Sequence, residues 1–150
     1  MSRTEPPRLP QALQSQAVFT PMPYEVDFTG FLSNTVAPQW LERLRLRLID
    51  EHFADQRLFD QDRLSVIART EIDYLRPMRM GAVVRGQATV VGCLRSSWTI
   101  AFVFEDAATG LPSLRARQVG AFIDAVTLSP ARIPPAIQER IAQALHPQER

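Results

Sequence analysis

The sequence contains no lysine: all 17 of its basic residues are arginine. Histidine occurs only as His52 and His146, and cysteine only as Cys93. Each shortage removes a class of chemistry. Without lysine there is no Schiff-base lysine, no pyridoxal-phosphate attachment and no phosphate-loop lysine. A single cysteine excludes a disulfide framework and any zinc site built on cysteines. A Ser-His-Asp or Cys-His arrangement would have to draw on His52 or His146.

Neither sign of charge dominates. Seventeen basic against 16 acidic residues leave a formal net charge of +1, and the arginines are scattered from Arg3 to Arg150 without a run. A nucleic-acid partner usually leaves a basic face or arm, so none is expected. No apolar stretch approaches the length of a membrane span. Residues 1–16 are polar and proline-rich, unlike a signal peptide, and are expected to form a flexible tail in a cytoplasmic protein. Catalysis, if present, is left to carboxylates, hydroxyls and backbone amides.

What the chain does have is enough apolar material for one core. Its 150 residues are 45% hydrophobic and 22% charged. A chain of that length buries about 68–70% of its unfolded surface without a metal or disulfide staple. A single domain over 17–146 is expected. The 12 prolines mark its breaks, with only Pro77 and Pro112 between Gln39 and Ser129.

Residues 18–27 begin like a strand, but Pro21 and Pro23 demote it to an edge or irregular one. Residues 35–53 read as a helix, with Pro38 in the first turn and Ser33 or Asn34 as its cap. Leu41, Leu44 and Leu48 form one apolar stripe, and Leu46, Ile49 and Phe53 a second. Two stripes predict a largely enclosed helix. From Leu64 the period changes to two. Leu64, Val66, Ala68, Thr70, Ile72 and Tyr74 are expected on one strand face. Further strands are expected over 82–92, 98–104 and 115–123, and Pro134-Pro135 opens a short second helix. Four successive strands with short links favour an antiparallel sheet, which must wrap the long helix: an α+β fold.

Asp27-Phe28-Thr29-Gly30 falls between the first strand and the mouth of the helix. A helix N-terminus presents unpaired N–H groups that can hold a developing oxyanion. A carboxylate beside it can serve as nucleophile or as general base on water, and it can equally cap a turn.

The residues Tyr24-Glu25-Val26-Asp27-Phe28-Thr29-Gly30-Phe31-Leu32-Ser33-Asn34, followed by Trp40-Leu41-Glu42-Arg43-Leu44-Arg45, resemble the 4-hydroxybenzoyl-CoA thioesterase branch of the hot-dog fold superfamily. So does the stretch from Arg69 to Gly81, with its break at Pro77. The resemblance covers roughly residues 19–136. It implies a hot-dog fold, with an antiparallel sheet around a long central helix. It also implies hydrolysis of acyl-CoA or acyl-carrier-protein thioesters to free acid and thiol, without a cofactor.

In that family an Asp three residues before a Gly attacks the thioester or activates water, and an amide seven residues after the Asp binds the carbonyl oxygen. These positions fall on Asp27, Gly30 and the backbone N–H of Asn34. Where the family often has Gly-His-Val-Asn-Asn, this chain has Gly30-Phe31-Leu32-Ser33-Asn34. Phe31 implies either a more apolar acyl pocket or a member with altered or lost activity, and no His carries over. Arg76, Arg79, Arg95 and Arg117 are candidates for the CoA phosphates, since a guanidinium suits phosphate geometry. Ser96 and Ser97 are candidates to line the acyl pocket. A homodimer joined edge to edge through its sheets is expected, with a homotetramer as a further option. The other readings are a non-catalytic acyl-thioester-binding or assembly protein and, ranked last for lack of a histidine, a dehydratase or hydratase.

Overall fold

The computed structural model describes residues 12–56 and 62–146. Its elements are β1 (Gln14–Phe19), α1 (Ala37–Phe53), β2 (Arg63–Tyr74), β3 (Val84–Cys93), β4 (Ser97–Asp106), β5 (Pro112–Asp124) and α2 (Pro135–Leu145). Short 3-10 turns occupy Pro23–Glu25 and Ala54–Gln56. The strands form one antiparallel sheet in the order β1-β3-β4-β5-β2. The fold is α+β, as expected.

Strand β1 starts three residues before the expected domain boundary at 17. Leu13 is already buried, and Gln14 and Ser15 pair with Thr89 and Ala88. Only residues 12–16 of the expected tail are described, and 14–16 are strand. Beyond Phe19, prolines at 21 and 23 supply no N–H to a ladder, and β1 stays at the sheet edge.

Helix α1 keeps Pro38 in its first turn, where the missing donor costs nothing. Its cap differs from the expectation. A turn over 34–36 intervenes, so the N-cap position is Val36 without a side-chain bond. Ser33 Oγ instead accepts from the Thr35 amide, at 3.3 Å. The helix is enclosed on one side only. Ala37, Trp40, Leu41, Leu44, Leu48 and Phe53 are buried, whereas Leu46 is 45% exposed and Ile49 half-buried. The reason is where it lies: α1 packs against one face of the sheet, its backbone nearest β1 and β3. Trp40 anchors it, with ring centroids 4.9 Å from Phe19 and 5.8 Å from Phe104.

The sheet order departs from simple succession. Strand β2 pairs with β5 at the edge opposite β1, so β2 and β3 are not neighbours. Residues 75–83 must cross about 14 Å of sheet, three strand spacings. A bulge between Ile67 and Arg69 also changes the faces of β2. Leu64 and Val66 pair with Ile123 and Ala121 on the outer face, while Thr70, Ile72 and Tyr74 pair with Gln118, Ala116 and Leu114 on the helix side. The expected single face is therefore split at Ala68, because one extra residue inverts every side chain beyond it. No helix among the described residues is long and apolar enough to cross a membrane.

At the far end of the sheet, Trp98 lies flat over Gly120 and donates its indole N–H to Ser65 Oγ at 2.9 Å. A Cβ on Gly120 would stand 1.9 Å from Trp98 Cζ2. Gly120→Ala should therefore destabilise the fold by about 1–3 kcal/mol through overpacking. An unchanged urea midpoint for that variant would show that the indole has room to move.

Candidate active site

The loop after β1 turns back on itself at Asp27. The Asp27 amide donates to Phe31 O at 3.1 Å, and the Gly30 amide donates to Asp27 O at 3.0 Å. Gly30 has φ +81°, the left-handed region that glycine enters without strain. The crossover then fixes this loop in place. Leu32 N donates to Met78 O at 2.8 Å, Met80 N donates to Gly30 O at 3.3 Å, and Phe31 forms a bridge with Arg79. The Arg79 guanidinium lies 5.4 Å from the Phe31 ring centroid, within cation–π range.

Between loop and crossover lies an open cleft of about 250 Å³, bordered by Asp27, Phe31, Asn34, Tyr74, Arg76 and Met78 among others. Asp27 is exposed at its mouth. One carboxylate oxygen, Oδ1, accepts from the Thr29 amide at 2.8 Å and also from the Thr29 hydroxyl. The Thr29 hydroxyl, then the Thr29 amide, hold the Asp27 carboxyl below the usual carboxylate range. Neither bond uses Oδ2.

The other partner is a backbone amide. Ser33 N donates to Glu25 O, Thr35 N to Ser33 Oγ and Val36 N to Ser33 O. Between them, the Asn34 amide donates to no described residue. Its carbonyl accepts the Tyr74 hydroxyl at 3.1 Å. Asn34, whose amide has no acceptor among the described residues, and the ionised Asp27 therefore border one cleft. That pairing suits a substrate with a polarised carbonyl carbon.

Of the residues expected at the site, Asp27, Gly30, Phe31, Asn34, Arg76 and Arg79 come together. Arg76 Nη1 donates to Pro112 O at 3.0 Å on the cleft border. The others do not join them within the chain. Arg95, Ser96 and Ser97 lie at the opposite end of the sheet, where their carbonyls accept from Ile133, Phe122 and Leu94. Ser97 opens β4, and the strand runs about 23 Å before it reaches Phe104, beside the cleft end of β5. Arg117 is on the outer face, paired with Glu71. Sequence reasoning missed Thr29 and Tyr74. Thr29 had a signal, because Asp-x-Thr-Gly suits a side-chain-stabilised turn. Tyr74 had none, since its place depends on the crossover.

A family model described as the thioesterase-like superfamily matches residues 21–141. The chain belongs to that superfamily. The expected enzyme class, a thioester hydrolase, is the one this membership gives. Among solved structures, a predicted thioesterase from Bacillus stearothermophilus is 25% identical with a TM-score of 0.75, covering 88% of this chain and 96% of that one. A 1,4-dihydroxy-2-naphthoyl-CoA thioesterase from Synechocystis superposes at TM-score 0.78 with 14% identity, over 89% and 99% of the two chains. A 12:0-ACP thioesterase from Umbellularia californica gives 0.79 with 18% identity, over 88% of this chain and 50% of its own. No curated protein sequence matches. The thioesterase-like chain thus has the hot-dog fold of these neighbours.

In this hot-dog protein the hold of Thr29 on Asp27 can be read directly. Thr29→Val removes the hydroxyl bond and keeps the amide one. The Asp27 carboxyl should then titrate at higher pH, so the ionised form is lost earlier as pH falls. Carboxyl NMR titration, with the signal assigned through Asp27→Asn, measures this; identical titrations in both proteins would refute the hold.

Proposed function

We propose that the chain hydrolyses acyl-CoA or acyl-carrier-protein thioesters at the Asp27–Asn34 cleft. The observation that carries the reading is the uncommitted Asn34 amide in the same cleft as the Asp27 carboxylate, whose Oδ2 is left open by the Thr29 contacts. The thioester carbonyl oxygen would accept from the Asn34 N–H. Negative charge developing there is stabilised by a donor that needs no reorganisation.

Two routes use the same atoms. Asp27 Oδ2 attacks the carbonyl carbon, the C–S bond breaks, and water then hydrolyses the mixed anhydride. Alternatively, Asp27 takes a proton from water as that water attacks. Either way, one water is consumed and one free acid and one thiol are released. Arg76 and Arg79 stand beside the cleft with the charge and fork geometry that CoA phosphates suit. The Synechocystis neighbour is named for a CoA thioester and the Umbellularia one for a carrier-protein thioester, which supports both substrate forms.

The same reading makes the enzyme a homodimer. Strand β2 is twelve residues long and forms a sheet edge, with Leu64, Val66 and Ile67 exposed along it. Such an edge invites another strand. A second copy of β2 would extend the sheet and bring partner residues toward the open side of the cleft.

Thiol release from a panel of aliphatic and aromatic acyl-CoAs tests the chemistry. Asp27→Asn should lower kcat by about 10²–10⁴-fold, the range for a positioned base or nucleophile. Full activity in both Asp27→Asn and Asp27→Ala would remove Asp27 from the mechanism. Light scattering should return at least twice the chain mass of 16.9 kDa, and a monomer at working concentration would overturn the dimer.

A further inference from the structure

Halfway along α1, Arg45 does something unusual for a helix surface arginine. Its side chain is only 12% exposed. Nη1 donates to Gln118 Oε1 at 2.6 Å, and Gln118 Nε2 in turn donates to Thr70 Oγ1 at 3.2 Å. Gln118 itself is buried on the helix side of β5. The only carboxylate near the guanidinium among the described residues is Glu42, at 3.7 Å and 61% exposed. Burial, partly offset by Glu42, pulls the Arg45 guanidinium below its usual range. Among the described residues, no buried side-chain nitrogen or oxygen lacks a partner. The Arg45 nitrogens not given to Gln118 therefore still meet solvent. This is a cation with its stem enclosed, one neutral hydrogen-bond partner in Gln118 and a longer, exposed ion pair to Glu42.

It stands in a defined place. On the helix side of β2, Thr70 and Tyr74 are exposed and Ile72 is half-buried. There the helix is tied to the sheet through the chain Arg45–Gln118–Thr70. To one side of this tie is the cleft, with Asn34 before the helix and Tyr74 on β2. The distance to Arg45 can be counted along both helix and strand. From Ala37 to Arg45 is eight helical residues, about 12 Å. From Tyr74 to Thr70 is four strand residues, about 13 Å. Both counts bring a group extending from the carbonyl site to the same polar cluster. Beyond it the lining turns apolar, with a hollow bordered by Leu48, Phe53, Trp98, Phe122 and Ile137.

We propose that the acyl group lies between α1 and the helix side of β2, and that Arg45, seated on Gln118 and Thr70, reads an acceptor oxygen at the group's far end, a carboxylate more strongly than a hydroxyl. The inference rests on the thioesterase reading for its carbonyl site and adds the class of acyl group. A bare methyl end brought against the cluster would strip water from the guanidinium and return no hydrogen bond. A carboxylate replaces that water with charge-assisted bonds.

The test pairs CoA thioesters of equal chain length, one alkanoyl and one with a terminal carboxylate, on wild type, Arg45→Met and Arg45→Lys. Wild type should favour the carboxylate-ended substrate in kcat/KM by at least about tenfold, since a site built to hydrogen-bond rejects an analogue that cannot. Arg45→Met should abolish or invert that ratio, and Arg45→Lys should keep part of it. A wild-type preference for the alkanoyl partner, or an equal ratio in Arg45→Met, overturns the inference. Should wild type release thiol from neither, the hydrolase reading fails by itself. Calorimetric titration with the free dicarboxylic acid of the same length then decides this inference. Binding that Arg45→Met loses sustains it, and absent or unaltered binding ends it.

Discussion

The placement of β2 at the edge farthest from β1 governs the rest of the molecule. A chain leaving β2 at Tyr74 cannot turn directly into β3, because β5 and β4 stand between them. It must cross the end of the sheet, and on the way its backbone is satisfied by the loop that follows β1. Met78 O and the Met80 amide are committed to Leu32 and Gly30, and the Gly81 amide to Pro21 O. The Asp27 loop and the crossover thus fix each other. Removing either would leave the other with unpaired backbone groups, which folded proteins rarely tolerate.

A second tie sets the helix against this frame. Trp40 packs with Phe19 of β1 and Phe104 of β4, and its indole donates to Glu25 Oε2 at 2.8 Å. Glu25 also accepts the Ser33 amide on its backbone carbonyl and the Met22 amide on its side chain. One acidic residue therefore links the 3-10 turn, the segment before α1 and the helix itself. That linkage places the Asn34 amide relative to Asp27.

Polar groups on the inner face are few, and each is spent. Ser65 takes the Trp98 indole and Ser15 bonds Glu51, while Gln118 carries Arg45. The lining between α1 and the helix side of β2 therefore changes character from the Asn34–Tyr74 end to the Trp98 end. It has a polar mouth, a cationic midpoint and an apolar far end.

Much of this was legible in the residues. The Pro38 start of the helix, the four long strands, the second helix after Pro134 and the Asp27–Gly30 turn all follow from local rules of period, proline and glycine. Those rules act over a few residues, so a sequence states them directly. The strand order, the split faces of β2 and the one-sided burial of α1 were not legible. Each depends on which distant segment a strand or helix meets. The bulge at Ala68 inverts a pattern that periodicity alone reads as continuous. Arg95, Ser96 and Ser97 look like site residues along the chain, yet an extended strand carries them to the other end of the sheet. Sequence by itself determined the elements and the scarcity of lysine, histidine and cysteine that leaves carboxylates, hydroxyls and backbone amides as the candidates for chemistry. Only the tertiary structure decided which amide has no acceptor among the described residues and which arginine is drawn inward. Hydrogen-bond commitment and burial are settled by neighbours far away in the chain.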